Sequence, residues 1–206
     1  MRNPSNISQH SQLNHPATKS QPEIRLADLA NLAKIATASG VANFRSIRFT
    51  PKMATEQDRQ FMTAAIAEAR RAEAEGEVPV GAIAVVGEQI IGSGHNRPIS
   101  LGDPTAHAEV LAIRSAASQL KAYRLAEVSI YVTLEPCVMC VGAMVNARIS
   151  RVIYGARDEK AGALGSMYDI GRDGRLNHRF EVVGGVMESE CAEIMREFFR
   201  ARRANE

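Results

Sequence analysis

The sequence predicts an α/β domain in which helices pack on a mixed β-sheet, preceded by an N-terminal extension. The first observation is the order of elements predicted after residue 53, where helices alternate with five short apolar strands. Such an order is typical of one sheet covered by helices. The second is composition: 45% apolar and 23% charged residues are ordinary for a globular protein. The third is length, because 206 residues exceed one typical domain and leave room for an extension.

The first half of the domain begins with a helix and a hairpin. Residues 55–58 form a capping box, and apolar side chains then recur at helical spacing as far as Ala72. Gly76 is placed where the helix would end. Two strands follow at residues 80–86 and 89–94, joined by a Gly-Glu turn, which predicts a hairpin.

The second half alternates helices and strands. A loop containing Pro and Gly is predicted at residues 96–103, and a long Gly-rich loop with a helical turn at residues 155–174. Pro136 stands where a first helical residue is favoured. The remaining predictions are helices at 104–117, 136–146 and 188–203, and strands at 128–133, 151–154 and 180–183.

Residues 1–52 differ from residues 53–206 in composition and charge. The first 20 residues are mostly Asn, Ser, Gln and His, which predicts disorder. Seven Lys or Arg against two acidic residues give the extension a charge of +5, so the domain sums to −3. Nucleic-acid binding by the domain would therefore need a local basic patch. We interpret the extension as lying upstream of the true start at Met53, with a transit peptide or a genuine tail as alternatives.

Two short motifs carry the chemistry. One is His-Ala-Glu at residues 107–109, and the other is Pro-Cys-Val-Met-Cys at residues 136–140. Catalytic zinc sites use three protein ligands, often imidazole and thiolate, and leave a fourth position open. His107, Cys137 and Cys140 supply such a set. Both motifs are predicted at helix starts, where exposed N–H groups stabilise thiolates.

Glu109 indicates a catalytic rather than a structural site. A carboxylate that is not a ligand can carry a proton from zinc-activated water to a substrate. Taken alone, the C-x-x-C pair also fits a redox pair or half of a structural zinc site. A redox pair would give His107 no role. A structural site with four thiolates would need a second C-x-x-C pair, which the chain lacks, because the remaining Cys191 lies alone in the last predicted helix. The two motifs together therefore predict catalytic zinc.

Eight stretches of the chain resemble the bacterial-type tRNA-specific adenosine deaminases of the cytidine deaminase-like superfamily. The stretches are residues 77–82, 96–98, 103–109, 123–125, 133–140, 154–158, 177–179 and 198–203. They include the H-x-E and P-C-x-x-C signature of zinc nucleobase deaminases. The resemblance runs from about residue 55 to residue 203 and leaves residues 1–52 without a counterpart.

The resemblance implies a three-layer α/β/α fold of the cytidine deaminase type with a mixed five-stranded sheet. It implies hydrolytic deamination of adenosine to inosine by zinc-activated water at the wobble position of tRNA, in an arginine tRNA with an ACG anticodon. The expected cofactor is one Zn²⁺ per subunit. The expected partners are the tRNA anticodon stem-loop and a second copy of the chain.

The resemblance also assigns roles to individual residues. His107, Cys137 and Cys140 become the zinc ligands, and Glu109 becomes the catalytic proton carrier. Asn96 would hydrogen-bond the flipped base, and the backbone at Ala108 would help to hold it. The candidate RNA contacts are Asp158, Phe199, Arg200, Arg202 and Arg203. Charge alone leaves the alternative of a solvated helix face for these arginines, because acidic residues are interspersed among them.

The residues leave two other functions open. A deaminase of free bases or nucleosides would carry the same two motifs. A zinc-stabilised RNA-binding module would use four closed ligands and no acid–base residue, so Glu109 argues against it. No apolar run approaches the ~20 residues of a membrane span. The cysteine usage favours a reducing compartment and a cytoplasmic location, with an organelle as the alternative if residues 1–52 are a transit peptide.

Overall fold

The computed structural model describes residues 54–204, so the predictions for residues 1–52 lie outside the described part. Within this part, no helix is long and apolar enough to cross a bilayer. The elements in chain order are α1 (Glu56–Ala74), β1 (Gly81–Val86), β2 (Gln89–His95), α2 (Pro98–Leu101), α3 (Ala108–Leu120), β3 (Ser129–Leu134), α4 (Val138–Ala147), β4 (Arg151–Ala156), a 3₁₀ turn (Ile170–Arg172), β5 (Glu181–Val183) and α5 (Glu188–Ala204).

The five strands form one mixed sheet in the order β2-β1-β3-β4-β5. β1 pairs antiparallel with both β2 and β3, whereas β3, β4 and β5 run parallel. The carboxyl ends of β2, β3 and β4 therefore lie at one edge of the sheet. The segments that follow these three strands contain the predicted site residues Asn96, Cys137 and Asp158, which this topology gathers at one place.

Two apolar clusters cover the two faces of the sheet. Alternate side chains of β3 separate them: Ile130 and Val132 belong to the cluster beneath α3 and α4, and Tyr131 belongs to the other. That second cluster packs beneath α1 and α5 and includes Met62 and Cys191. The predicted three-layer α/β/α architecture is confirmed.

Glycines allow the helices to lie directly on the hairpin. A Cβ atom at Gly81 would lie 2.2 Å from the carbonyl oxygen of Ala65 in α1. On the other face, a Cβ atom at Gly94 would lie 2.6 Å from the carbonyl oxygen of Ala108 in α3. No real side chain tolerates such distances, so both positions require glycine at this backbone separation. The contact at Gly94 holds the start of α3 close to the end of β2.

Two helices begin later than predicted. The helix expected from Pro104 begins at Ala108, because Asp103 Oδ1 accepts hydrogen bonds from the N–H and the hydroxyl of Thr105 and closes a turn. The helix expected from Pro136 begins at Val138. In each case the predicted metal ligand, rather than the proline, stands at the helix boundary.

The loop predicted at residues 96–103 is also wrong in part, because it contains the one-turn helix α2. Pro98 is its first residue, and Gly102 ends it in the left-handed conformation with φ of 59°. Proline at the first position and glycine at the end are favourable for a helix of any length. The helical turn predicted within residues 155–174 is confirmed as the 3₁₀ turn.

The capping box of α1 is confirmed, and its acidic residue has a second role. Asp58 is 1% exposed, and its carboxylate accepts hydrogen bonds from the N–H and the hydroxyl of Thr55 at the helix start. Its carboxylate also accepts a hydrogen bond of 2.8 Å from the hydroxyl of Tyr131 and bonds of 2.7 and 3.1 Å from the guanidinium of Arg151. Burial raises the pKa of Asp58, but the bonds from Arg151, Thr55 and Tyr131 outweigh it and hold this pKa well below its usual range.

Replacing Asp58 with Asn is expected to lower the free energy of unfolding by about 3–5 kcal/mol at pH 7, because it leaves Arg151, whose side chain is only 17% exposed, without its strongest partner. The folded-state pKa of Asp58 is depressed, so its contribution is present above the unfolded pKa of about 3.9 and is lost as the pH falls below it. Urea unfolding of both proteins checks this. The difference should shrink between pH 5 and pH 2, and equal midpoints at pH 7 would contradict the account.

Candidate active site

The three predicted metal ligands lie at the starts of two helices, at the sheet edge formed by the carboxyl ends of β2, β3 and β4. His107 is the N-cap of α3, and Cys137 is the N-cap of α4, both with extended backbone. Cys140 lies in the first turn of α4 and is fully buried. Cys137 follows β3 closely in the chain, and His107 follows the turn after α2. The three ligands therefore come from two separate segments.

The donor atoms have the spacing of a tetrahedral zinc site. Nδ1 of His107 lies 3.8 Å from Sγ of Cys137 and 3.6 Å from Sγ of Cys140, and the three atoms are within 4.8 Å of one another. Tetrahedral bonds of about 2.3 Å to sulfur and 2.0–2.1 Å to nitrogen place the two donors about 3.6 Å apart. The residues therefore fit zinc, with three protein ligands and a fourth position open. Within residues 54–204, this is the one such group of His, Cys, Asp or Glu.

The electrostatics of the pair of thiols favour a cation. Hydrogen bonds from Cys140 and His107 lower the pKa of Cys137 to about 3 against the opposing effect of burial. The hydrogen bond with Cys137 and burial raise the pKa of Cys140, and the hydrogen bond with Cys137 raises the pKa of His107. A cation between the three residues would stabilise both sulfurs as thiolates, which is the form that binds zinc.

Glu109 lies beside this ligand set without belonging to it. It is the second residue of α3, only 4% exposed, and near the thiol of Cys140. Burial is the main cause that raises the pKa of the Glu109 carboxyl group. A carboxyl group with a raised pKa can both accept a proton and return it near neutral pH. Its role as the proton carrier stays a prediction from the His-Ala-Glu motif.

Asn96 follows β2 and is fixed by the start of α3. Its side-chain oxygen accepts a hydrogen bond of 2.9 Å from the backbone N–H of Ala108. Its amide nitrogen makes no hydrogen bond to any other described residue and can therefore donate to a bound molecule. The N–H of Ala108 is thus already engaged in orienting Asn96. The predicted contact of Ala108 with substrate stays a prediction.

A buried carboxylate with no motif of its own holds the segment after Asn96. Glu77 is 1% exposed and accepts hydrogen bonds from the N–H groups of Ser100 at 2.7 Å and Ile99 at 3.4 Å, both in α2. Burial raises the pKa of Glu77, but these bonds and the charge of Arg97 bring it below the usual value. Glu77 therefore anchors α2 and the chain that enters it from Asn96.

A second such carboxylate, Glu135, lies between β3 and the metal-ligand turn. It is 2% exposed and accepts hydrogen bonds from the backbone N–H groups of Asp158, Leu164 and Ser166. Neither Glu77 nor Glu135 shows a periodicity or spacing that predicts its partner. The only local signal is an acidic residue next to a strand that is buried on both faces, where an unpaired charge would be costly.

Most of the predicted RNA contacts lie on one basic groove. It has a volume of about 420 Å³ and joins the loop after β4 to the exposed face of α5. Its lining residues are Lys160, Met195, Arg196, Phe199, Arg200 and Arg203. Two of its four cationic side chains, Arg196 and Arg200, also pair with Glu193, at 2.5 and 3.9 Å. Cationic groups beside an exposed aromatic ring are features that bind a nucleic-acid backbone and stack a base. Lys160 and Arg196 belong to this groove in addition to the predicted residues.

The other two predicted RNA contacts lie apart from the lining of the groove. The guanidinium of Arg202 lies 5.5 Å from the centre of the Phe198 ring, a cation–π contact with the core-facing side of α5. Asp158 lies two residues before Lys160, and its Oδ1 accepts hydrogen bonds from the N–H groups of Lys160 and Ala161. Contact of either residue with RNA stays a prediction.

Sequence comparison relates the whole described domain to known deaminases. The MafB19-like deaminase family matches residues 56–203. The tRNA-specific adenosine deaminase of Haemophilus influenzae is 46% identical over 153 residues, which are 74% of this chain and 88% of that protein. The tRNA-specific adenosine deaminase of Bacillus subtilis is 44% identical over 147 residues, which are 71% of this chain and 91% of that protein.

Structural comparison agrees with the sequence relationship. A structure from a study of A-to-I editing by tRNA:A34 deaminases at the wobble position of transfer RNA is 44% identical, with a TM-score of 0.64. The match covers 66% of this chain and 98% of that one. A guanine deaminase from Nitrosomonas europaea has a TM-score of 0.58 at 22% identity, which shows a shared fold alone. The chain belongs to the family of the tRNA-specific adenosine deaminases.

Proposed function

We propose that this chain deaminates adenosine to inosine at the wobble position of tRNA, with an arginine tRNA that carries an ACG anticodon as the substrate. The observation that carries the proposal is the buried carboxylate of Glu109 next to a three-ligand metal site. A structural zinc site has four protein ligands and no use for such a group. The identity of 44–46% with tRNA-specific adenosine deaminases supports the choice of substrate.

The reaction needs two proton transfers, and Glu109 is placed to perform both. His107, Cys137 and Cys140 would hold a zinc ion, which would act as a Lewis acid and bring the pKa of a water molecule to about 7. Glu109 accepts a proton from the attacking water and delivers it to N1 of the adenine ring. The water oxygen bonds to C6, and Glu109 takes the remaining proton from this oxygen and gives it to N6. The C6–N6 bond then breaks, ammonia leaves, and the C6–O bond becomes the carbonyl of inosine. One water is consumed, and inosine and ammonia result.

The buried position of the site requires the target base to leave its stack. Bases of a single-stranded loop are splayed out at low cost, so an anticodon loop is a suitable substrate. Asn96 donates its free amide N–H to the inserted base, while Ala108 holds the amide in that orientation. The basic groove binds the backbone of the same loop, with Arg200, Arg203 and Lys160 on phosphates and Phe199 against a base.

The active unit is a homodimer with one zinc ion per subunit. Apolar side chains on the elements around the site support this proposal, because Ile99 is 69%, Leu101 50% and Val138 47% exposed. A partner that covers them removes apolar surface from water. The molar mass of the full chain in solution tests this proposal, and a monomer at micromolar concentration contradicts it. The cytoplasmic location stays a prediction from the cysteine usage.

Replacing Asn96 with Asp is expected to lower kcat/KM for tRNA about 100-fold, because a buried site that loses a required hydrogen bond discriminates strongly. The aspartate keeps the oxygen that accepts from Ala108 and replaces the N–H donor with a charged oxygen that can only accept. Replacement by Ala removes both. Steady-state kinetics on an anticodon stem-loop check this, and an Asp variant as active as the wild type would show that the amide does not contact the base.

A panel of substrates tests the proposed function. The zinc-loaded full chain is incubated with anticodon stem-loops of arginine tRNA carrying ACG or GCG, and with free adenosine, guanine and cytosine. Inosine should form in the ACG stem-loop alone. Turnover of a free base with an unchanged stem-loop would preserve the zinc chemistry and contradict the tRNA substrate. A Glu109→Ala chain serves as the inactive control.

A further inference from the structure

We propose that Glu135 is a positioning residue that fixes the loop of residues 158–166 against the metal-ligand turn, so that this loop meets the RNA in one conformation. Residues 158–166 are called the substrate loop below. The inference rests on the proposed function, because it assigns the loop to substrate binding. It adds to that function a residue that touches neither the reacting atoms nor the predicted metal.

The carboxylate of Glu135 collects four donors from the substrate loop. Its Oε1 accepts from the backbone N–H groups of Leu164 at 2.9 Å and Ser166 at 3.0 Å. Its Oε2 accepts from the backbone N–H of Asp158 at 3.3 Å and from the hydroxyl of Ser166. The carboxylate is 2% exposed and forms no ion pair with a described Lys or Arg. The hydrogen bonds from the loop therefore stabilise its charge.

The residues next to Glu135 in the chain bind the same loop. The carbonyl oxygen of Pro136 accepts a hydrogen bond of 2.8 Å from the N–H of Ala163, and Cys137 forms an isolated antiparallel bridge with Gly162. A Cβ atom at Gly162 would lie 2.5 Å from the carboxyl carbon of Glu135, so the loop lies directly on this side chain. The turn that carries two metal ligands and the substrate loop therefore form one hydrogen-bonded unit.

The substrate loop connects this unit to the basic groove. Asp158 begins the loop, and its side chain closes the next turn by accepting from the N–H groups of Lys160 and Ala161. Lys160 lines the groove with the arginines of α5. Glu135 thus sets where Asp158 and Lys160 lie relative to the metal site. Its loss should weaken RNA binding more than it slows chemistry at a bound base.

The geometry of the hydrogen bonds predicts which bond Glu135→Gln loses. At the Oε1 position an amide NH₂ would face two backbone N–H groups, which are donors and cannot accept a hydrogen bond from it. At the Oε2 position it would face the N–H of Asp158 and the hydroxyl of Ser166, which can rotate to accept. The amide of Glu135→Gln should therefore adopt the second orientation. It releases Asp158 and keeps the bonds to Leu164 and Ser166.

Kinetics and hydrogen exchange of the full chain test this inference. Glu135→Gln should raise KM for the ACG stem-loop about tenfold and change kcat less than about threefold, as expected for lost binding rather than lost chemistry. Zinc per chain should stay at the wild-type value. The amide of Asp158 should exchange faster, while those of residues 108–112 should not change. Glu88→Gln, the same substitution in the exposed β1–β2 turn, should match the wild type.

Two further measurements keep the inference open to refutation. Ser166→Ala removes the hydroxyl that donates to Glu135 and accepts a bond of 3.4 Å from Arg157, and it removes no backbone atom. It should raise KM about threefold even if Glu135→Gln folds poorly. A lower melting temperature with unchanged KM in both variants would show a merely structural role and overturn the inference. An equal fall in kcat, or loss of zinc, would also overturn it. A wild-type chain inactive on the stem-loop would instead refute the proposed function, while the exchange of Asp158 still reports on the loop.

Discussion

Replacing Glu109 with Gln is expected to lower kcat on the tRNA substrate by about 10³-fold or more, with unchanged zinc content and melting temperature. A single positioned acid–base group is worth about 10²–10⁴-fold, and here one carboxylate serves two proton transfers. Gln keeps the volume of the side chain, so α3 and the neighbouring thiols retain their packing. Single-turnover kinetics measure the chemical step, and metal analysis measures zinc per chain.

The matched control for Glu109 is Glu127→Gln, which makes the same change at an exposed position before β3. This variant should be indistinguishable from the wild type. A Glu109→Gln chain with more than about a tenth of wild-type activity would contradict the proposed role, because general acid–base catalysis contributes more than that. Loss of zinc from this variant would instead place Glu109 among the residues that the metal site requires.

Replacing Cys140 with Ser is expected to remove both zinc and activity. Cys140 supplies one of three protein ligands, and the hydroxyl of serine is a far poorer ligand for zinc than a thiolate. Residual activity should fall below about one thousandth of the wild type, the contribution expected of metal-activated water. Chelation of the wild type should have the same effect, and restored zinc should restore its activity. Because metal binding contributes to folding free energy, both treatments should also lower the melting temperature.

Cys191→Ser is the matched control for this experiment. Cys191 is also buried, at 1% exposure, but it lies in α5 and packs against Gly155. Its replacement lowers the free energy of unfolding through poorer packing but leaves the three metal ligands intact. One zinc per chain and near wild-type kcat are therefore expected. A Cys140→Ser chain that keeps both zinc and activity would contradict the proposed site.

The chemistry of the site was predictable because its signals are local. His107 and Glu109 are two residues apart, and Cys137 and Cys140 are three apart, so each motif is contained within the start of one helix. The meeting of the two motifs depends on strand order, which no spacing along the chain determines. The complementary donor types of the two motifs, each at a predicted helix start, predicted that meeting, and the resemblance to a known family implied the same ligand set. The distances from Nδ1 of His107 to the two sulfurs agree with this prediction.

The supporting residues were not predictable, because their partners are distant in the chain. Glu77 bonds to α2 more than 20 residues later, Glu135 to a loop, and Asp58 to a guanidinium 93 positions away. None of them has a periodic pattern that points to these partners. The starts of α3 and α4 were placed too early for a related reason. Asp103 accepts a hydrogen bond that closes the turn before α3, and the carbonyl of Pro136 accepts a bond from the distant Ala163; helix propensity reflects neither bond.

The most direct test of the central claim is the source of the new oxygen in the product. The zinc-loaded full chain is given an arginine tRNA with an ACG anticodon in water enriched in ¹⁸O, and the wobble nucleoside is examined by mass spectrometry. Inosine carrying one ¹⁸O at position 6, with release of ammonia and none formed by the Glu109→Gln chain, is the predicted result. Unchanged adenosine, inosine without the label, or equal inosine from the Glu109→Gln chain would contradict it.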